Sequence, residues 1–368
     1  MSYQVLSRST GRREVRRVNL PIVPWRARWE LGGIIHPDFN TYAGQDGAPI
    51  LYLGNDIILG SIRTNEHVTR SADGGMSFSD VNISLYHNSA YNLKPEEFVD
   101  MGNGRILLSA FAGTACRLFT SYDYGQTWIR HSTQPSKGLA GFVYLGNGVL
   151  LASQFRDGIR KSTDYGQTWG ALVEVDPDRP LDAGIVQMVR FDSGIILAVD
   201  DTTDYVSTYV TYNHVYRSNN DGASWTDILL PRDQVGFSRL LVLGEGIAVG
   251  HTWKYNPLPR TIDHGTTWAP GPTTFPDNSV SAFANLGNGI AIAFVIHDTG
   301  ESYYRACTVA RTKDYGATWA YLPELSFNSD REPYMKPYEV VATGPDSAVV
   351  SCSWNREARI LRLFDLAY

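Results

Sequence analysis

Nine residues of this chain stand out as candidates to grip a sugar: Arg63, Glu66, Arg239, Trp253, Tyr255, Tyr303, Tyr304, Arg331 and Trp354. A guanidinium fork holds carboxylate or hydroxyl oxygens in paired hydrogen bonds, and an indole or phenol ring offers a flat apolar face on which a pyranose can stack. The loops expected between the strands also hold acids, among them Glu96, Glu97 and Asp298, and a histidine, His251. Two carboxylates flanking a glycosidic bond, one protonated and one ionised, are the usual equipment for its hydrolysis. Sequence sets no distance between carboxylates, so no catalytic pair is assigned. Any one of these residues is also what a solvated loop contains. The set carries weight only if one face of the fold collects it.

Other chemistries are poorly supplied. The run Asp200-Asp201-Thr202-Thr203-Asp204 brings three oxygen ligands together but lacks the spacing and closing glutamate of a calcium loop. The eight histidines show no metal-ligand spacing. No Ser-His-Asp set and no phosphate-cradling glycine loop is recognisable, so neither a metal nor a cofactor is expected. The three cysteines, Cys116, Cys307 and Cys352, are too scattered for a disulfide framework. Cys116 and Cys307 each stand five residues before a copy of a repeated turn, which predicts buried strand positions.

Composition points to a globular, turn-rich and aromatic-rich chain with ample material for a core: 43% hydrophobic, 19% charged, 34 Gly, 21 Tyr and 9 Trp in 368 residues. A net charge of −6 gives no general attraction to nucleic acid or an anionic membrane. The exception is an Arg-rich arm, residues 1–28, with Arg8, Arg12, Arg13, Arg16, Arg17, Arg26 and Arg28; such an arm can dock on an acidic protein partner, and a solvated leader is its commoner use. No apolar run is long enough to span a bilayer, and no secretory leader is recognised. Synthesis in the cytoplasm follows as an expectation.

What must position the chemistry is a repeat. "TSYDYGQTW" (Thr120–Trp128) returns as "KSTDYGQTW" (Lys161–Trp169), and the form S/T-x-D/N-x-G-x-T/S-W/F occurs six times, with its acid or amide at Asp73, Asp123, Asp164, Asn220, Asp263 and Asp314. In a tight turn the Asp carboxylate accepts backbone N–H groups, Gly takes a positive φ, and the aromatic plugs the gap beside the next strand. A second turn alternates with it: Leu53-Gly54-Asn55-Asp56, Met101-Gly102-Asn103-Gly104, Leu145-Gly146-Asn147-Gly148, Phe191-Asp192-Ser193-Gly194, Leu243-Gly244-Glu245-Gly246, Leu286-Gly287-Asn288-Gly289 and Thr343-Gly344-Pro345-Asp346. Each unit reads strand, short turn, strand, longer loop, strand, Asp turn, strand, which is a propeller blade.

Seven short turns predict a seven-bladed β-propeller of four-stranded antiparallel blades over residues 29–368, with six Asp turns. The last blade stops where a seventh Asp turn would stand, so its outer strand should be borrowed from Trp29–Ile35 to close the ring and hide its sheet edges. Six bladed units are the alternative count.

Over residues from about 45 to 321 the repeats resemble the Asp boxes, or BNR repeats, of the sialidase superfamily. The resemblance implies that the box is a structural hairpin on the face opposite the active site, and that the loops of the other face carry function. Sialidases also share three arginines that clamp the substrate carboxylate. The place of the first reads Asp46-Gly47-Ala48-Pro49-Ile50, with no arginine. Arg63 stands where a further pocket arginine is common, Arg239 lies near the start of an inner strand, and no third partner is evident. Ordinary sialidase activity is therefore not expected. Three readings stay open: a glycan-binding or adhesion propeller, with a cell-surface polysaccharide as ligand; a glycoside hydrolase using a carboxylate pair in a central pocket; and a structural scaffold. A glycan fold without a leader also points to incorporation in a phage particle, as a spike or receptor-binding component.

Overall fold

Runs such as Gly141-Phe142-Val143-Tyr144 and Ile290-Ala291-Ile292-Ala293-Phe294 are apolar, β-branched or aromatic, and turn residues cut them short, so they pair as strands. The computed structural model describes residues 4–5, 16–17, 27–36, 49–61, 67–83, 94–112, 115–135, 137–154, 157–175, 185–200, 214–230, 237–252, 258–271, 278–298, 305–327, 335–354 and 357–367. Among these no helix is long and apolar enough to cross a membrane.

The strands form a seven-bladed β-propeller. Blade 1 is built from Ile50–Tyr52, Ile58–Ser61, His67–Ser71 and Ser79–Asn82, each antiparallel to the one before it. Blades 2, 3, 4 and 6 repeat this order from inner strands Lys94–Asp100, Leu139–Gly146, Ile185–Arg190 and Asn278–Gly287. Among the described residues, blade 5, starting at Phe237–Gly244, shows three strands and an isolated bridge from Arg260 to Ala269. Blade 7 runs Met335–Gly344, Ser347–Trp354 and Glu357–Phe364, and its outer strand is Arg28–His36 from the other end of the chain. The predicted borrowing of Trp29–Ile35 is thus how the ring closes, with Leu361 opposite Leu31 and Arg362 opposite Glu30. Within the arm, Gln4–Val5 pairs with Arg16–Arg17 as a short antiparallel hairpin.

The hydrophobic core is divided among the seams, the interfaces between successive blades. Among the described residues seven buried clusters occur, and each draws on two neighbouring blades. Leu59 and Val68 of blade 1 meet Ile106, Leu108 and Phe119 of blade 2, for example. A blade is one sheet with two apolar faces, so it completes a core only against its neighbours. The three cysteines are free and buried, and burial pushes the thiols up, to about 11 for Cys116 and about 12 for Cys352.

Six of the seven inner strands carry a β-bulge or irregularity near their start, as between Pro95 and Glu97, Ile185 and Gln187, and Pro337 and Glu339. A bulge sets one extra residue against the partner strand and re-aims the side chains after it. The short turns and the Asp turns lie together on one face. Tyr124 N–H donates to the Gly104 carbonyl (3.1 Å), Tyr165 to Gly148 (2.8 Å), His264 to Gly246 (2.9 Å) and Tyr315 to Gly289 (3.0 Å).

Candidate functional site

The Asp turns have their chemistry fully committed. Asp123 Oδ1 accepts from Thr127 N–H (2.9 Å) and from the Ser121 hydroxyl (2.8 Å), and its Oδ2 accepts from the Thr127 hydroxyl (2.6 Å). Ser121 Oγ in turn accepts from Gly125 N–H (2.8 Å). Asp73, Asp164, Asp263 and Asp314 repeat the arrangement. Asn220 keeps the shape by accepting from Ser224 N–H (3.0 Å) and donating to the Ser224 hydroxyl (2.8 Å). Partial burial opposes the charge on Asp73, but the bonds from Ser77, Ser71 and Met76 outweigh it and hold the carboxyl at about 2. A carboxylate so occupied is a turn-former.

Each Asp turn also locks its blade to the preceding one. The glycine two residues after the acid has a positive φ, +80° at Gly125 and +79° at Gly265. A Cβ at those glycines would lie 2.4 Å from Leu59 and 2.5 Å from Leu197, both on the preceding blade. A cation just before the turn adds a clasp across the seam. Arg70 Nε donates to the Tyr124 carbonyl (2.8 Å), Lys161 to Asp221 (3.2 Å), Arg217 to His264 (3.0 Å), Arg260 to Tyr315 (2.8 Å) and Arg311 to Leu366 (2.7 Å).

The last of these marks a turn that the sequence reading missed. Asp365 has φ +58°, Leu366 N–H donates to the Asp346 carbonyl (2.9 Å), and Arg28 Nε donates to the Asp365 carboxylate (3.1 Å). Arg362 and Asp365 keep the spacing of Arg311 and Asp314. A truncated seventh turn therefore stands where none was expected, and the Arg-x-x-Asp spacing was the signal for it.

At the other end of the inner strands, four polar side chains share one register, five residues before the short-turn glycine or its equivalent: Glu97, Gln187, Arg239 and Glu339. They form a collar around the ring axis on the face away from the Asp turns. Glu97 Oε2 accepts from Gly141 N–H (2.7 Å) and its Oε1 from Phe142 N–H (3.1 Å), both in blade 3. Glu339 Oε2 accepts from Ile50 N–H (3.0 Å) in blade 1. Gln187 accepts from Leu240 N–H (2.6 Å) and donates to the Leu240 carbonyl (3.3 Å) in blade 5. Glu97 keeps some exposure, yet protein crowds its carboxyl from all sides. Burial pushes it up to about 8 against the two backbone bonds, with Glu339 and Glu96 adding repulsion. Arg239 is exposed and pairs in register with His251, which burial first, and the Arg239 charge second, hold neutral by lowering it to about 4.

Of the nine residues singled out from sequence, Arg63, Glu66, Trp253, Tyr255, Tyr303, Tyr304 and Arg331 lie outside the described residues. Arg239 sits in the collar, and Trp354 ends the second strand of blade 7. Arg239 lies near the start of an inner strand, as expected. Glu96, Glu97, His251 and Asp298, expected in loops, are strand residues; a bulge between Pro95 and Glu97 breaks the alternation by which the first of these strands is recognised, and the strands carrying His251 and Asp298 run further than their apolar cores. Gln187 and Glu339 were missed; their shared offset from the short turn was the available signal. No group of residues suited to hold a metal ion occurs among the described residues.

No family model matches the chain, and no curated protein matches it. Solved structures do. YCF48 from Cyanidioschyzon merolae aligns with a TM-score of 0.66 at 14% identity, over 91% of this chain and 98% of that one. YCF48 bound to D1 peptide aligns with a TM-score of 0.62 at 13% identity, over 94% and 96%. The GH74 xyloglucanase from Xanthomonas campestris gives 0.60 at 16% identity, covering 88% of this chain but 52% of that chain. What these proteins share with the chain is the β-propeller ring. Identities this low speak to fold alone, and one ring hosts many functions.

Proposed function

We propose that the chain is a recognition propeller that holds a glycan on the face opposite its Asp turns. The observation carrying this reading is the division of labour between the two ends of the ring. Asp73, Asp123, Asp164, Asp263 and Asp314 are each consumed by their own hairpin, whereas the collar leaves Arg239 exposed beside a neutral His251. The other aromatic and charged residues singled out from sequence lie outside the described residues, apart from Trp354, and enter this reading by their types alone. The sialidase-like form of the repeats is consistent with a glycan ligand, and the missing arginine clamp argues against sialidase chemistry. Both collar glutamates are spent on backbone amides of the next blade, which favours holding a ligand over cleaving one.

Hydrolysis is the second reading. It rests on Glu97, a carboxyl that stays protonated to about 8 and feels the charge of Glu339, since one protonated and one ionised carboxylate is the glycosidase requirement. One experiment separates the two. The protein is incubated with a panel of polysaccharides and sialylated glycans, and retained and released sugars are read by mass spectrometry. Retention without release, weakened in Arg239→Ala, supports recognition. Release of a defined fragment that disappears in Glu339→Gln replaces it with hydrolysis, and neither retention nor release overturns both. A peptide ligand, as the YCF48 complex with D1 peptide illustrates for that protein, would then be the next class to assay.

A further inference from the structure

The collar follows one rule at three seams. Its side chain accepts the N–H of the residue four before the short-turn glycine of the next blade: Glu97 takes Phe142, Gln187 takes Leu240 and Glu339 takes Ile50. Glu97 uses both carboxylate oxygens, one on Gly141 N–H (2.7 Å) and one on Phe142 N–H (3.1 Å). The seam between blades 5 and 6 inverts the rule. Phe283 of blade 6 holds the donor position, since it pairs with Ala293 as Leu240 pairs with Gly250 and Ile50 with Gly60. The collar residue before it is Arg239, whose guanidinium carries N–H donors and no acceptor. Pro49, Gly141 and Ala282, at the collar positions of the remaining seams, bring no charge. Arg239 is exposed, and among the described residues it forms no hydrogen bond or ion pair.

We propose that the seam between blades 5 and 6 is a seat for a ligand carboxylate, carried by a hexuronate residue of an acidic glycan. This rests on the glycan reading above and names the class of glycan. Donor stands against donor at this seam, and the group that satisfies both is an anion with two acceptor oxygens. One oxygen takes Phe283 N–H and the other takes the guanidinium, as the two oxygens of Glu97 take Gly141 and Phe142. The protein supplies the acid itself at two seams and leaves it to the ligand at a third. The seat is unlike an arginine clamp, because half of it is main chain and that half comes from the neighbouring blade. A hexuronate bears its carboxylate directly on the sugar ring, so seating the acid draws the ring against the same end of the propeller.

The test uses oligogalacturonate and its methyl ester, which share every ring and hydroxyl and differ in the charged oxygen pair. Binding to the intact protein is measured by calorimetry. The acid is expected to bind about tenfold or more tightly than the ester, the size of one charge-assisted hydrogen bond. Arg239→Ala should erase the difference. Equal binding of acid and ester overturns the carboxylate seat and leaves the glycan reading standing, as does an acid preference that survives in Arg239→Ala. Binding of neither form overturns the seat as well, and retention of neutral polysaccharides then decides the glycan reading separately. Binding of an Asp- and Glu-rich peptide but of no oligogalacturonate replaces the glycan with a protein partner and overturns the proposal.

A second measurement needs no ligand. Arg239→Glu places at this seam the side chain that Glu97 and Glu339 provide at theirs, and its carboxylate should take Phe283 N–H. Exchange of that amide with solvent, read by NMR, is expected to slow about tenfold relative to Arg239→Ala, and binding of oligogalacturonate should vanish. A Phe283 rate that is the same in the two variants overturns the register on which the seat stands. Arg239 is exposed, so neither variant opens a cavity in the core.

Discussion

The seam between blades 4 and 5 and the seam between blades 2 and 3 join the same elements with different chemistry. In the first, Gln187 grips the inner strand of blade 5, Arg217 grips the outer turn, and Gly265 admits Leu197 closely. In the second the corresponding roles fall to Glu97, to Thr120 (too short to reach the next blade) with His131, and to a looser Gly166, where a Cβ would lie 3.4 Å from Leu107. A repeat architecture keeps one scaffold while its seams are free to differ, because each blade contacts only its neighbours.

Packing should show the contrast most strongly. Gly265→Ala combines a left-handed φ of +79° with a clash against Leu197, and is expected to cost about 2–5 kcal/mol. Gly166→Ala meets only the backbone cost, about 1–2 kcal/mol. Denaturant unfolding of the two variants measures the gap, and equal losses would erase the distinction between the seams. Next in size, Asp263→Ala removes the acceptor for Thr267 N–H, the Thr267 hydroxyl and the Thr261 hydroxyl, and should cost about 1.5–3 kcal/mol in the same assay. Arg217→Met leaves the stem and removes the bond to His264, an expected loss of about 1 kcal/mol. The smallest effect is a gain. Asn220→Asp converts the one amide turn to the charged form of the others and should stabilise by about 0.5 kcal/mol, read as a raised thermal midpoint.

The blade count was legible because turns are chemically loud: Asp, Gly and Trp at fixed spacing repeat where the backbone has no alternative. Even ring closure could be read, since Trp29–Ile35 keeps the distance to blade 1 that outer strands keep elsewhere. The collar was not legible. Lys94-Pro95-Glu96-Glu97 looks like a loop, because a bulge puts two charged residues in succession where a strand would alternate. Arg239 was picked for its type and for its place near the start of an inner strand, but its relation to Glu97, Gln187 and Glu339 appears only when the blades are stacked in register. His131 gave no signal at all, because its role depends on what Thr120 lacks.

The closing strand sets an order on the making of the protein. Arg359 Nη1 reaches the Gly32 carbonyl (3.5 Å) across 327 residues of chain. On a ribosome adding roughly 5–20 residues per second, Arg28–His36 emerges about 16–65 s before the strand it pairs with. During that interval its exposed backbone edge is a site for pairing with other nascent chains. The charged residues Arg28 and Glu30 on that strand are then as much a safeguard during translation as an anchor afterwards.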